Sequence, residues 1–517
     1  LSVIAILFSA MPASAVGTAM VQLLQDVSPK GGVSVRVGQK VALRALAASG
    51  STVTAEINGQ TVVLSATSEK EDSAFWYEGI YTVPKAAEGT SLGEIRFTAK
   101  LGGRSESRTG GAVSIAEKNV TVVVDPPADS NIEPVSGDMV VVKPDYADIF
   151  SSVDRGEDYA APYYFNLPKG TIDYVVGSTS ASYILKSGRR IAKTNVTSLG
   201  SGTKGNNTVS GVTVKNDGTY TTLTIKQSWN VPFNLTPAPL TYASSSSNTV
   251  TSCVPTAVVL TFDYTTAFTP SRISFPSGSA FDSASWKLVT TNGIPQLQLT
   301  LELSQKGGYY GAYAKYNSAG DLVLTFLNPV DSLEGARIVI DPGHGTGDTG
   351  NAGSGYYESV LNLQKAKALK EELEARGAEV YMLNTNGGTK IGLYQRVDLA
   401  TEWMPHVYVS VHHNWADNTS ARGIEVYYNN PYSQRLAKYV NDEIFNAYKT
   451  MPYGSSAKNR GAKFSEFAVT RTKQFAAILV EYGFLSNKEE LGICVDEANN
   501  PAFAQATADG IEAFFAG

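Results

Sequence analysis

Residues 337–345 are Arg337-Ile338-Val339-Ile340-Asp341-Pro342-Gly343-His344-Gly345. The apolar residues have the length and the branched side chains of a buried strand, and the Pro-Gly pair after them indicates a tight turn. His344 therefore follows the carboxyl end of a predicted strand, which is where open α/β sheets bind their ligands. Whether His344 binds a metal or only completes the turn depends on the other residues that reach the same edge.

Strands alternate with helices from this segment to the end of the sequence. Short apolar runs predict strands at residues 337–340, 380–383, 407–411, 424–428 and 477–480. Apolar residues at helical spacing predict helices at residues 358–376, 392–402, 434–449 and 502–515. This alternation predicts a C-terminal α/β domain at residues 335–517, with a mainly parallel sheet flanked by helices. No other part of the sequence has this pattern, so we expect the chemistry here.

All-β modules are predicted upstream of the α/β domain, so the chain is multidomain. Alternating runs between turn signals predict an Ig-like β-sandwich at residues 16–124, a small β barrel at 139–198 and a second β-sandwich at 212–330. Residues 125–138, with three prolines, and residues 199–211, rich in Gly, Ser, Asn and Thr, are predicted linkers. Trp76, Tyr77 and Tyr81 are predicted to lie in the core of the first sandwich rather than on a binding surface.

Charge and cysteine content exclude several classes of function. The net charge of -6 argues against a nucleic-acid partner, because binding to phosphates needs a basic surface. Cys253 and Cys494 are far apart and belong to no Cys-x-x-Cys pair, which excludes thiolate zinc sites and redox motifs. We expect both cysteines to be small buried residues rather than a disulfide.

The amino terminus indicates where the protein is found. Residues 3–8 form a short apolar run, and Ala13-Ser14-Ala15 follows as a small-residue cleavage site. Residues 1–15 are therefore predicted to be the remnant of a secretory signal peptide. The run is too short to span a bilayer, and the mature sequence contains no transmembrane candidate. We expect the mature protein outside the cytoplasm.

All four histidines of the chain lie in the α/β domain: His344, His406, His412 and His413. The predicted elements bring His344, Glu358, His412 and Glu481 to one edge of the sheet. Two imidazoles and one carboxylate, with a fourth position open to water, are the ligand set of a catalytic zinc, and a further carboxylate can then act as the base. The spacing matches no local zinc motif, so scattered turn and cap residues remain the alternative interpretation.

Several motifs of this domain, taken in order, carry a resemblance to a known family. They are Asp341-Pro342-Gly343-His344-Gly345, Gly347-Asp348, Glu358 before Leu361-Asn362-Leu363, Ser410-Val411-His412-His413-Asn414, Gly423-Ile424-Glu425-Val426-Tyr427-Tyr428, Asn459-Arg460-Gly461-Ala462-Lys463 and Leu479-Val480-Glu481-Tyr482-Gly483-Phe484-Leu485-Ser486-Asn487. The domain resembles a zinc-dependent N-acetylmuramoyl-L-alanine amidase of the amidase-3 type. The resemblance implies that His344, Glu358 and His412 hold one Zn²⁺ per catalytic domain and that Glu481 is the catalytic carboxylate.

The resemblance also implies a function and a location. It implies a secreted, cell-wall-associated hydrolase that cleaves the amide between N-acetylmuramic acid and L-alanine of peptidoglycan by zinc-activated water. The alternatives are another zinc amide hydrolase, a carboxypeptidase or a deacetylase, and a non-catalytic protein that binds the cell wall. His413 stands where the family usually has a small residue, so we expect it to be a rim residue or a residue that faces substrate. His406 is expected to be a solvated residue at the start of a strand.

Two upstream modules carry resemblances of their own. Residues 212–330 resemble an AMIN domain, with a strand pair around the turn from Gly308 to Gly311 and a strand that ends at Asn328-Pro329. Residues 139–198 resemble a bacterial SH3-like barrel through the turn Leu167-Pro168-Lys169-Gly170-Thr171. Both resemblances imply that the β modules bind cell-wall polymers.

Overall fold

A computed structural model describes residues 22–517 except 31–32, 36–39, 72, 86–89, 116–132, 135–136, 148, 152–163, 180, 243–249, 346, 354, 389–390, 453, 457 and 466. The predicted signal remnant at 1–15, the last residues of the first predicted sandwich (116–124) and most of the predicted linker at 125–138 lie outside the described residues. The chain divides into two compact units, Leu1–Ser130 and Asn131–Gly517.

The first unit is a β structure whose described strands are β1 (Leu24–Ser28), β2 (Val33–Val35), β3 (Lys40–Ala48), β4 (Thr52–Ile57), β5 (Gln60–Glu71), β6 (Ala74–Thr82), β7 (Ser91–Leu101) and β8 (Arg104–Ile115). They pair in the order β1-β3-β6-β5-β4-β7-β8-β2. Tyr77 and Tyr81 lie in the main core of this unit, which confirms their prediction, whereas Trp76 points to the opposite face of its strand and packs in a separate small cluster with Leu46 and Ala74. Strand β8 was not predicted, because its first residues are polar and mostly exposed and so show no apolar alternation.

The second unit begins with a small β module made of β9 (Glu133–Pro134), β10 (Asp138–Val142), β11 (Tyr146–Ala147), β12 (Phe150–Ser151), β13 (Leu167–Pro168), β14 (Ile172–Ser178), β15 (Ser182–Leu185), β16 (Arg189–Ala192) and β17 (Val196–Ser201). Its main sheet has the order β12-β16-β15-β14-β10-β17, with β9 beside β14, and β11 pairs with β13. Its apolar core is continuous with that of the following module, through Phe165 and Phe233 among others.

The next module consists of β18 (Asn207–Asn216), β19 (Tyr220–Gln227), β20 (Phe233–Tyr242), β21 (Val250–Asp263), β22 (Thr265–Phe268), β23 (Phe281–Thr291), β24 (Ile294–Leu303), β25 (Tyr313–Tyr316) and β26 (Leu322–Leu327). They form two sheets, β22-β18-β19-β26-β25 and β20-β21-β24-β23. Leu297, Leu299 and Leu301 alternate with more exposed neighbours in β24. One side of this strand therefore faces the core between the sheets.

Two predictions for these modules are wrong. Residues 199–211 are not a free linker, because β17 continues to Ser201 and β18 begins at Asn207. The polar side chains there are used in pairing, since the buried Asn207 donates from Nδ2 to Thr265 Oγ1 over 2.9 Å. The turn from Gly308 to Gly311 does not join a strand pair, because β24 and β25 belong to different sheets.

The C-terminal domain contains the strands β27 (Arg337–Pro342), β28 (Ala352–Gly353), β29 (Tyr356–Tyr357), β30 (Glu379–Met382), β31 (Val407–Asn414), β32 (Ile424–Tyr428), β33 (Asn459–Phe464) and β34 (Ala476–Phe484). Its main sheet has the order β30-β27-β31-β34-β32-β33. Four of the five strand pairs in this sheet are parallel, and only β32 with β34 is antiparallel. The carboxyl ends of β27, β31 and β34 therefore meet at one edge.

The helices of this domain are α1 (Glu358–Ala375), α2 (Leu393–Trp403), α3 (Gln434–Tyr448), α4 (Lys488–Val495) and α5 (Asn500–Ala516). Apolar residues of α1, α3 and α5 share one core with Ile338, Ile340 and Val409 of the sheet. On the other face, Val339 and Tyr408 pack in a core with Ala400 of α2. Both faces of the sheet are therefore buried, and α1 opens at the edge where the strands end.

The loop from Gly308 to Ala312 of the preceding sandwich packs against this domain. Tyr309 and Tyr310 are buried, and the backbone N–H of Ala312 donates to the carbonyl of Lys473 over 3.2 Å. A Cβ on Gly311 would lie 2.5 Å from the backbone of Gln474, so only glycine fits. Within the part of the chain that the structure describes, none of the helices has the length and apolar character needed to cross a membrane.

Candidate metal and catalytic site

Three elements deliver one potential metal ligand each to the same point. His344 follows β27, Glu358 is the first residue of α1, and His412 lies near the end of β31. One ligand atom from each of the three residues lies within 4.8 Å of the others. The structure therefore brings together all three residues that the sequence predicts to bind the metal.

Glu358 is the centre of this group. It is 1% exposed, and its two carboxylate oxygens face different imidazoles: Oε2 lies 3.2 Å from His344 Nε2, and Oε1 lies 2.8 Å from His412 Nδ1. Asn351 also donates to Oε2 from its backbone N–H and from Nδ2, each over 2.9 Å. Burial by itself raises the pKa of Glu358, but hydrogen bonds and charges from both histidines outweigh it and hold the pKa well below its ordinary value. The carboxylate is therefore held in the charged form that binds cations.

His344 is held in a turn with unusual backbone geometry. Its φ is +65°, a left-handed value that is uncommon outside glycine, and its Nδ1 lies 3.0 Å from Asp348 Oδ1. Burial opposes protonation of the ring, but Glu358 and Asp348 together raise the pKa of His344 to about 9. The contact with Asp348 fixes the orientation of the ring and leaves Nε2 directed at Glu358.

Two glycines leave space for these side chains. A Cβ on Gly343 would collide with the ring of His412, and a Cβ on Gly350 would lie 2.6 Å from Glu358 Oε2. Gly350 also has a φ of +66°, which other residues adopt only with strain. The glycine spacing of this loop is therefore required by the approach of the ligands.

Arg396 of α2 holds the turn from the other face of the sheet, and the sequence analysis missed it. Its guanidinium donates to the Asp341 carboxylate, to the carbonyl of Pro342 over 3.0 Å and to the carbonyl of His344 over 2.7 Å. Tyr408 and Ser410 donate to the second oxygen of Asp341 over 2.5 and 3.1 Å. The sequence carries no local signal for this role, because a charged residue on an amphipathic helix is usually solvated.

Glu481 lies beside the three potential ligands, in β34. It pairs with His412 in β31 on one side and with Glu425 in β32 on the other. Its Oε2 is buried and has no hydrogen-bond partner among the described residues. Burial, followed by the negative charges of Glu358 and Glu425, raises the pKa of Glu481 well above that of an ordinary glutamate. The side chain can therefore hold and release a proton at this position.

A charged cluster continues from Glu481 across the sheet. Glu425 is 1% exposed and accepts hydrogen bonds from Arg460 Nε and from the Tyr427 hydroxyl. Lys463 Nζ lies 3.0 Å from its Oε2. Burial raises the pKa of Glu425, but these partners outweigh the effect and lower it. The sequence alone predicted no role for these residues.

The other two histidines are not where the sequence predicts them. His413 does not face substrate; it is fully buried, and its Nδ1 lies 2.8 Å from Asn362 Oδ1 of α1. Adjacent residues of a strand point to opposite faces, and the face opposite to His412 is covered by α1. Burial, and then the charge of Lys365, lowers the pKa of His413 to about 3. It is a neutral core residue.

His406 is not solvated. Only 2% of it is exposed, its Nδ1 accepts from the backbone N–H of Arg337 over 2.9 Å, and its Nε2 lies 3.1 Å from the carbonyl of Asn328. Asn328 follows the last strand of the preceding sandwich, and the ring of Tyr310 lies edge-on to the imidazole. The predicted strand start is correct, but the sandwich covers it.

The C-terminal domain is similar to known proteins. Residues 338–513 match the amidase-3 family, N-acetylmuramoyl-L-alanine amidase. N-acetylmuramoyl-L-alanine amidase LytC of Bacillus subtilis (strain 168) is 30% identical over 188 residues, which are 36% of this chain and 36% of the relative. Probable cell wall amidase LytH of Staphylococcus aureus is 28% identical over 208 residues, which are 40% of this chain and 67% of the relative. The chain therefore spans about a third of the first relative and two thirds of the second.

A solved structure is similar to the same domain. The N-acetylmuramoyl-L-alanine amidase from Clostridium difficile 630 is 32% identical, with a TM-score of 0.33 over 35% of this chain and 97% of that chain.

Proposed function

We propose that the C-terminal domain, whose residues 338–513 match the amidase-3 family, is a zinc-dependent hydrolase that cleaves the amide between N-acetylmuramic acid and L-alanine of peptidoglycan. The observation that carries the proposal is the convergence of His344, Glu358 and His412, with ligand atoms within 4.8 Å of one another, beside a glutamate whose carboxyl oxygen has no partner among the described residues. The family match supports the substrate class.

The donor set of this site fits zinc. Two imidazole nitrogens and one carboxylate oxygen are borderline ligands, and three protein ligands leave a fourth position for water. Asp348 and Asn351 supply the outer hydrogen bonds that orient His344 and Glu358. When bound, Zn²⁺ supplies Lewis acidity and lowers the pKa of its water toward neutrality.

Glu481 is the proposed general base and acid. Its unpaired oxygen accepts the proton of the attacking water, and its raised pKa lets it keep that proton until the amide nitrogen leaves. Glu481 then returns the proton to the amine of L-alanine. The leaving peptide therefore occupies the side of the site on which Glu481 lies.

The enzyme is proposed to be secreted through its signal peptide, and the β modules are proposed to hold it at the cell wall. AMIN-like binding by residues 212–330 and SH3-like binding by residues 139–198 would raise the effective concentration of an insoluble substrate. The Staphylococcus aureus relative is described as a probable cell wall amidase, which is consistent with this location.

Digestion of purified peptidoglycan tests the proposal. We expect new L-alanine amino termini with the glycan strands left uncut, and we expect one zinc per chain by elemental analysis. Glu481→Gln should lower the rate about 100- to 10,000-fold because the proton acceptor is lost, with zinc retained. His344→Ala and Glu358→Ala should lose both zinc and activity.

A surface variant and the products complete the test. Glu374→Gln, which removes a surface partner of Lys370 in α1, should keep both zinc and activity. New reducing muramic acid ends without L-alanine amino termini would contradict the amidase reaction. Release of terminal amino acids from the stem would instead indicate a carboxypeptidase, and release of acetate would indicate a deacetylase. Full activity of Glu481→Gln would contradict the mechanism.

A further inference from the structure

A row of paired residues leads across the sheet away from the proposed metal ligands. His412 in β31 pairs with Glu481 in β34, Glu481 pairs with Glu425 in β32, and Glu425 pairs with Gly461 in β33. Neighbouring strands lie about 4.8 Å apart, so each step moves one strand spacing away from the ligands. The row therefore runs from His412 through Glu481 and Glu425 to Gly461. Arg460 is the residue immediately before Gly461.

Arg460 is the extra residue of a β-bulge. Ile424 and Glu425 are adjacent in β32, but their partners in β33 are Asn459 and Gly461, so Arg460 has no opposite residue. Gly461 has a φ of +79°, which the bulge needs and which favours glycine. Bulges re-aim side chains, and this one turns Arg460 towards Glu425.

The guanidinium of Arg460 is held at one end and open at the other. Its Nε donates to Glu425, and its Cζ lies 5.0 Å from the centre of the Phe484 ring. A Cβ on Gly423 would lie 2.9 Å from Arg460 Cγ, so the side chain rests closely on that backbone. Among the described residues, neither Nη group has a hydrogen-bond partner, and the side chain is 34% exposed. The planar fork of the guanidinium, formed by its two Nη groups, is therefore fixed in position and available to a ligand.

Lys463 is a second cation in the cluster around Arg460. It is also 34% exposed and pairs with the same Glu425. Arg460 and Lys463 therefore present two cations on the partly exposed side of the cluster, and exposed cations of this kind attract an anion. The planar fork of an arginine matches a carboxylate, which it binds through two parallel hydrogen bonds.

We propose that Arg460, assisted by Lys463, binds a free carboxylate of the stem peptide on the leaving side of the scissile amide. This inference rests on the proposed function and makes Arg460 a determinant of its substrate. Glu481 protonates the leaving amine, so the peptide extends past Glu481 towards β32 and β33. On the sugar side, the lactyl carboxyl group is consumed in the scissile amide, so the stem is the source of the carboxylate.

Binding of the released peptide tests the inference without relying on turnover. The probes are L-alanyl-D-glutamate with its carboxylates free and the same dipeptide with them converted to carboxamides, each titrated calorimetrically into the full chain. We expect the free acid to bind about 10- to 100-fold more tightly than the amide. Arg460→Gln should lose most of this preference, because only Lys463 then remains to attract the carboxylate.

Two further variants make the result decisive. Arg460→Lys keeps the positive charge on Glu425 but loses the fork, so the preference should fall while the protein stays folded. Arg422→Gln is the matched control, because the guanidinium of Arg422 is already engaged by Ser456 and Glu489; it should keep the full preference. Equal binding of acid and amide by the unmodified chain, or an undiminished preference in folded Arg460→Gln, would overturn the inference. Failure of the peptidoglycan digestion would instead count against the proposed function, whatever the dipeptides do.

Discussion

Arg396 holds the backbone of His344 in place, although it is neither a proposed metal ligand nor a proton carrier. Its guanidinium contacts the carbonyl of His344, the carbonyl of Pro342 and the carboxylate of Asp341 in a turn where His344 has a φ of +65°. A left-handed histidine persists only if its surroundings hold it there. Arg396 is therefore a positioning residue for the metal site.

Arg396→Gln should weaken zinc binding by about 10- to 100-fold, because outer hydrogen bonds orient the ligands. It should also destabilise the domain by about 3–5 kcal/mol, since the buried Asp341 carboxylate loses its cationic partner. Zinc affinity is measured by competition with a chelator under conditions where the variant is folded. Arg376→Gln, in a surface cluster with Glu372, Asp509 and Glu512, is the control and should keep the zinc affinity. An unchanged zinc affinity in folded Arg396→Gln would restrict Arg396 to a purely structural role.

At the scale of elements, helices α3 and α5 approach each other closely at Gly510. A Cβ on Gly510 of α5 would lie 2.5 Å from Val440 Cα and 2.7 Å from Val440 N in α3. These are backbone atoms, so relief requires the two helices to separate. The close approach supports the sheet on the face where α1 also packs.

Gly510→Ala should lower the free energy of unfolding by about 1–3 kcal/mol, as overpacking in a well-filled core does. Gly492→Ala in α4 is the matched control, because a Cβ at Gly492 meets nothing within 4 Å. The control should instead raise stability by about 0.5–1 kcal/mol, since alanine favours the helix over glycine. Urea unfolding of both variants measures the difference. Two changes of the same sign would show that helix propensity, and not the α3–α5 contact, dominates at Gly510.

At the scale of the second unit, the sandwich and the C-terminal domain share a junction built on His406. The imidazole accepts from the backbone N–H of Arg337 in the C-terminal domain and contacts the carbonyl of Asn328 in the sandwich. If His406 were protonated, the proton on Nδ1 would face the backbone N–H of Arg337, and the hydrogen bond between them would be lost. Burial, together with the charge of Arg337, lowers the pKa of His406 to about 4. The junction therefore requires a neutral histidine.

The stability of the second unit should fall as this histidine titrates. The pKa is lower in the folded state than in the unfolded state, so the contribution is complete above about pH 6.5 and is lost as the pH falls from there to about 4. The loss amounts to about 3 kcal/mol. Urea unfolding at about pH 7.5 and about pH 4.5 should show a larger decrease in the unmodified chain than in His406→Gln. Carboxylates such as Asp173 titrate equally in both proteins and cancel in the comparison. Equal decreases would mean that His406 does not contribute.

Sequence patterns predicted most of the long apolar strands and helices of the C-terminal domain, but they missed strand β33 and helix α4. The predicted strand at 424–428 is β32 (Ile424–Tyr428), and the first residue of the predicted helix at 358–376 is the first residue of α1. Strand β33 was missed because it has no apolar run and three of its six residues are exposed. Helix α4 was missed although Asn487 caps it by accepting from Glu489 and Glu490, a signal that the sequence does carry.

The sequence by itself determined the alternation of strands and helices and the glycine turn after β27, because periodicity and turn chemistry act over a few residues. It also determined which residues reach the edge of the sheet, since His344, Glu358, His412 and Glu481 lie at or near the ends of elements. Only the tertiary structure decided that His413 is buried under α1, that the sandwich covers His406, that Arg396 holds the turn and that a bulge opens Arg460. These depend on contacts between residues far apart in the chain, which local patterns do not encode.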